Sequence, residues 1–152
     1  MKENKLFVYG SLMGEIQSPI ANYLKSNSAF LGEGTVQGTL LDLGHYPGLI
    51  YDKLATSRVV GHIFQLNQVE EMLIHLDHYE CVGEAFESPN QYRREIVQVQ
   101  KEGKIINCWA YVYNLPFEGL KIIDSGNYLT YFQENAVYQQ FVNSLNNFNR
   151  PI

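Results

Sequence analysis

The sequence predicts an α+β domain built on a curved or barrel-like, largely antiparallel sheet, and three observations lead there. Strand-like segments outnumber helical ones, consecutive strands lie close together in the chain, and glycines fall inside the strands, where they suit bends in a strongly curved sheet. A parallel doubly wound sheet would need more crossover helices. With 152 residues and 45% hydrophobic content, the chain reads as one domain over residues 1–152 with room for a sizeable core.

The first strand is expected at Lys5 to Tyr9, a continuous apolar run that breaks at Gly10-Ser11. Ser18-Pro19 then has the form of an N-cap followed by proline at the first helical position, opening a short helix through Ala21 and Leu24. From Phe30 to Ile50 the chain reads as β structure punctuated by glycine, with turns at Gly44 and Pro47-Gly48. Arg58 to Leu66 is a further strand. Asn67 is expected to cap the next helix, with Glu70 completing a capping-box-like pattern and Val69, Met72, Leu73 and Leu76 forming one apolar face. After a polar loop over 83–91, strands at Tyr92 to Gln100 and Lys104 to Asn114 are joined by the tight Lys101-Glu102-Gly103 turn of a hairpin. The tail from Asp124 to Phe148 is expected to be mainly helical, since Val137, Phe141, Leu145 and Phe148 recur at helical spacing.

Charge and composition remove several classes of function. The 16 acidic and 11 basic residues give a net charge of -5, and no window concentrates Lys and Arg, which argues against a surface that tracks nucleic acid. No apolar run approaches the roughly 18 to 20 residues that span a bilayer, and the charged start runs straight into a strand, so no membrane partner and a cytoplasmic location are the expectations. Cys81 and Cys108 show neither zinc-ribbon nor disulfide-framework spacing and read as small hydrophobes.

Two positions carry chemistry. Glu80 lies eleven residues beyond Val69, a rotation of about 1100°, within roughly 20° of three full turns, so it continues the apolar stripe of its helix. Glu70, Glu71, Asp77 and His78 are expected to point away from that stripe, toward solvent. A carboxylate on a core-facing stripe costs several kcal/mol unless it is paired or neutralised. Three readings are open: a helix already frayed by Tyr79, a pair with an arginine such as Arg94, or a functional acid. The second position is Tyr9-Gly10-Ser11, where glycine lets several backbone N–H groups converge and Ser11 adds a hydroxyl. Such a strand end can bind a carboxylate or an oxyanion, or can simply be a turn.

Taken together, the chain resembles the γ-glutamyl cyclotransferase-like superfamily, particularly its γ-glutamylamine cyclotransferase and AIG2-like branch. Phe7-Val8-Tyr9-Gly10-Ser11-Leu12 matches the N-terminal hallmark, Leu43 to Leu49 the glycine-then-Tyr-Pro segment, and Leu76-Asp77-His78-Tyr79-Glu80 the LDxxE motif. Tyr92 to Val99 is similar to the YxRxxVxV strand, Cys108 to Asn114 to the aromatic strand, and Asp124 to Tyr128 to the segment that enters the final helix. Tyr128 stands where tryptophan is common, and the loop from Cys81 to Glu87 is longer than in some branches.

The resemblance implies a small, mixed but largely antiparallel β-barrel with flanking helices, and a γ-glutamyl group held at one end. It implies substrate binding by the loop Tyr9, Gly10, Ser11 and Leu12 through backbone N–H groups, with Glu80 as general acid and base. Tyr9 and Tyr113 are expected to wall the pocket. The implied reaction closes the γ-glutamyl group of an amine or amino acid to 5-oxoproline and releases the amine, with neither metal nor organic cofactor. Among rival readings, His75 and His78 have metal-ligand spacing but face away from Glu80, and Cys81 with His45 or His62 has no spatial pairing visible in the sequence. A noncatalytic small-molecule binding module on the same fold is the alternative. The leaving amine and the oligomeric state are left open.

Overall fold

The computed structural model describes residues 3–10, 12 and 18–134. In chain order these form β1 (Lys5–Val8), α1 (Pro19–Ser26), β2 (Ser28–Asp42), β3 (Pro47–Tyr51), β4 (Arg58–Leu66), α2 (Val69–Tyr79), β5 (Tyr92–Lys101), β6 (Lys104–Tyr113), β7 (Lys121–Ile122) and α3 (Tyr128–Glu134). Of the expected terminal helix, α3 is its first part, and Val137, Phe141, Leu145 and Phe148 lie outside the described residues.

Five strands close a mixed barrel in the order β2-β4-β1-β6-β5, with a β5 to β2 pairing at Thr35 and Gln100 completing the ring. All of these contacts are antiparallel except that between β1 and β6, where Leu6 pairs with Trp109. The short β1 is therefore enclosed on both edges, and its Leu6, Phe7 and Val8 are all buried. That explains why it reads as an unbroken apolar run rather than an alternating one. The 15-residue β2 serves two sheets: Ser28 to Gln37 pairs with β4 across a bulge at Phe30 and Gly32, and Gly38 to Asp42 turns away to pair with β3 and β7.

Local chemistry accounts for the elements. Ser18 Oγ accepts the Ala21 N–H at 3.2 Å with Pro19 behind it, as the sequence predicts. The β5 to β6 hairpin turns through Glu102 (φ 51) and Gly103 (φ 78), the two positive φ values that a two-residue turn of this twist requires. Two expectations are corrected: Pro47 and Gly48 open β3, paired with Asp42 and Leu41, rather than a turn, and Gln68, not Asn67, precedes α2 and makes no side-chain cap bond. The Asn67 N–H donates instead to the Asn27 carbonyl at 3.1 Å, holding the start of α2 to the end of α1.

The core draws Leu6, Val36, Ile63, Val97 and Val99 from the strands, and Leu24, Met72 and Leu76 from the helices. Where β4 crosses β1 the backbones approach closely. A Cβ on Gly61 would stand 2.4 Å from the Val8 carbonyl oxygen and 2.5 Å from the Phe7 ring. We therefore expect Gly61→Ala to destabilise the fold by about 1–3 kcal/mol through overpacking, measured by urea unfolding. Leu54→Ala, at a site 93% exposed, is expected to change stability by no more than about 0.5 kcal/mol.

Candidate active site

Glu80 follows directly on the last residue of α2, and its N–H still donates to the Leu76 carbonyl at 2.9 Å. Tyr79 is helical and buried, so the helix has not frayed before Glu80, whose own residue is only 2% exposed. Nor does Arg94 serve as its ion-pair partner. The Arg94 guanidinium grips Asp77, with Nε 2.8 Å from Oδ1 and Nη2 3.2 Å from Oδ2.

This makes Asp77 the principal correction to the sequence reading. It is part-buried rather than solvated, and it also accepts the Tyr111 hydroxyl at 2.6 Å. The same Arg94 lies 4.3 Å over the Trp109 ring, and Trp109 Nε1 donates to the Glu3 carbonyl at 3.0 Å. A helix that carries a buried acid is thus pinned to β5 and β6 three residues before that acid.

The chain of contacts continues into the barrel end. Tyr111 accepts the Tyr9 hydroxyl on its backbone carbonyl at 2.5 Å, and the Tyr9 oxygen in turn accepts the Leu49 N–H at 3.2 Å. One phenol, on the residue just past β1, therefore joins β6 to β3. Burial foremost, and then the Glu80 charge, push the Tyr9 hydroxyl well above the ordinary tyrosine range. Tyr111 is raised too, by burial and by its bond to Asp77. Both remain O–H donors at neutral pH, fixed walls rather than proton carriers.

Glu80, Tyr9, Gly10, Leu12 and Tyr111 line one cavity with Phe7 and Val8. Its volume is about 20 Å³, room for a single water-sized group. Four of the expected site residues are therefore brought together, whereas Ser11 lies outside the described residues. Tyr113 lies two residues beyond Tyr111 along β6 and packs edge-on against Tyr92, with ring centroids 6.1 Å apart, outside the lining of this cavity. Tyr111 and Asp77 are the residues that sequence reasoning missed. Tyr111 shares the alternation of Tyr113, and Asp77 precedes Glu80 by three, a spacing that places two helical side chains near one another.

The other candidate groups are arranged differently. Among the described residues no three His, Cys, Asp or Glu side chains gather as a metal-binding group. His62 is buried in β4 against the Phe30 ring. Burial and the Glu80 charge raise the Cys81 thiol, which disfavours the thiolate that a nucleophile needs. Cys108 is fully buried and pushed up to about 12. No helix among the described residues is long and apolar enough to cross a membrane.

Residues 6–130 match the family model described as gamma-glutamyl cyclotransferase, AIG2-like. The chain belongs to this family. A gamma-glutamylcyclotransferase family protein of Citrobacter rodentium is 31% identical over 126 residues, covering 82% of this chain and 95% of the relative. The gamma-L-glutamyl-butirosin B gamma-glutamyl cyclotransferase of Niallia circulans is 32% identical over 111 residues, 72% of this chain and 66% of that protein. Among solved structures, an AIG2-like protein from mouse superposes with a TM-score of 0.61 at 26% identity, covering 82% of this chain and 88% of that one. The closed mixed barrel with flanking helices is the fold of this γ-glutamyl cyclotransferase family.

The Asp77 carboxylate joins α2 to both Arg94 and Tyr111. Asp77→Asn retains the shape but loses the charge that faces the guanidinium. We expect a loss of about 1–3 kcal/mol in urea unfolding, because a charge-assisted bidentate contact is replaced and a part-buried cation left without its counter-charge. Arg93→Gln is the comparison. The exposed Arg93 bonds the half-buried Glu95 and Asn114, and its removal is expected to cost less than about 1 kcal/mol.

Proposed function

We propose that this chain is a γ-glutamyl cyclotransferase acting on a small γ-glutamyl amine or γ-glutamyl amino acid, with 5-oxoproline and the free amine as products. The observation that carries the reading is a glutamate, 2% exposed, at the foot of a cavity bounded by the end of β1, in a chain of this family. A carboxylate held out of bulk solvent beside the reacting atoms is placed to take a proton and to give it back.

In the proposed reaction the substrate's free α-amine attacks its own γ-carbonyl carbon. A new C–N bond closes the five-membered lactam, and the bond to the departing nitrogen breaks. The attacking nitrogen loses a proton to Glu80, and the leaving nitrogen receives one from it, so the acid is regenerated and the step needs neither water nor an external reagent. Backbone N–H groups at Gly10 and Leu12 support the reading as donors for the oxyanion or the substrate carboxylate, with Ser11 between them. Tyr9 and Tyr111 hold the walls, and Tyr113 stands further along β6. A glutamyl group exceeds a 20 Å³ cavity, so binding widens it.

The test is Glu80→Gln, which keeps the shape of the side chain and removes its ability to accept a proton. Turnover to the lactam, followed by mass spectrometry, is expected to fall by about 10² or more with the melting temperature level or raised. Glu84→Gln, in the exposed loop, is expected to keep the parental rate. A Glu80→Gln protein that folds normally and turns over at that parental rate excludes Glu80 from catalysis, whereas a parental protein that binds γ-glutamyl compounds and releases no lactam favours the binding-module alternative.

A further inference from the structure

Beside the small Glu80 cavity lies a much larger groove of about 490 Å³, between α1 and the end of α2. Its volume falls in the range typical of small-molecule sites. Ile20 and Tyr23 form one side, Phe86 and Cys81 the other, and His75 and His78 stand on the rim. The groove and the cavity share a wall: Tyr79 and Cys81 line the groove, and Glu80, the residue between them, lines the cavity. Among the described residues none lines both spaces, so a departing part that leaves the cavity would reach the groove past the Tyr79–Cys81 segment.

The chemistry of the lining is selective. No Asp or Glu among the described residues lines the groove, although acidic residues outnumber basic ones over the chain. Against the described lining, a second ammonium on a departing diamine would find no carboxylate to face it, a costly arrangement where water is displaced. The walls are instead apolar or aromatic. Tyr23 meets His75 edge-on at 5.3 Å between ring centroids, and Phe86 leans on His78 at 5.4 Å. Both histidines are exposed, on the side where a departing amino acid would carry its own carboxylate.

We propose that this groove is the subsite for the leaving group, and that it favours amino acids with aromatic or large aliphatic side chains over small ones and over diamines. The proposal rests on the cyclotransferase reading of Glu80 and adds the class of amine released.

The experiment compares kcat/KM for lactam formation from γ-glutamyl-phenylalanine, γ-glutamyl-alanine and γ-glutamyl-putrescine. The phenylalanine compound is expected to exceed the alanine compound by about 10-fold or more, the discrimination typical of one well-buried apolar side chain, with the diamine compound slowest. Phe86→Ala and, separately, Tyr23→Ala are expected to shrink the phenylalanine-to-alanine ratio toward one, whereas Leu54→Ala is expected to keep it. Equal rates for phenylalanine and alanine, a preference for the diamine, or a ratio that survives both groove substitutions overturns the subsite and leaves the cyclotransferase reading standing. Absence of lactam from all three compounds removes that reading, and the subsite with it.

Discussion

The Asp77 carboxylate is the contact on which the site's geometry depends. Helix α2 lies against a closed barrel and ends in a glutamate with almost no access to solvent, so its last turn must be held in place more firmly than apolar packing alone requires. Asp77 accepts two bonds from Arg94 and one from Tyr111, binding that turn to the β5 and β6 hairpin. Tyr111 passes the constraint on through its backbone carbonyl to Tyr9, and Tyr9 to β3. Four elements are thus registered against one another by a single run of hydrogen bonds, and two residues of that run, Tyr9 and Tyr111, line the cavity with Glu80. Networks of this kind rigidify when fully satisfied, which is the property an acid and base site needs.

How much of this was legible in the sequence depended on the range of the interaction. Glu80 was legible because helical rotation is local, and eleven residues suffice to put it on the stripe of Val69. The cap at Ser18 and the turn at Glu102-Gly103 were legible for the same reason. The barrel class followed from strand count and spacing, but its closure rests on Thr35 meeting Gln100 and on a parallel contact between Leu6 and Trp109, pairings that no local pattern records. Asp77 was misread because its partners lie 17 and 34 residues away. With neither in view, a charged residue off the apolar stripe reads as solvated. Asn67 was misread as a cap because its backbone partner, Asn27, belongs to another helix.

The proposed reading assigns two tasks to two separate spaces. The barrel end holds a buried acid at a tight cavity, where the proposed reaction places the γ-glutamyl group. The groove between α1 and α2 is wider, built from helix faces and a loop, and so freer to vary in composition without disturbing the barrel. Under the proposed reading, the reacting centre and the choice of amine are set by different parts of this chain.

The central claim is that the γ-glutamyl group is released by its own amine and not by water. The direct measurement is turnover of a γ-glutamyl amino acid in water enriched in heavy oxygen, with both products weighed by mass spectrometry. Cyclisation predicts 5-oxoproline with no oxygen from the solvent, formed in step with the free amine. Glutamate carrying one heavy oxygen as the enzyme-dependent product would show that water attacks the carbonyl, and would contradict the account.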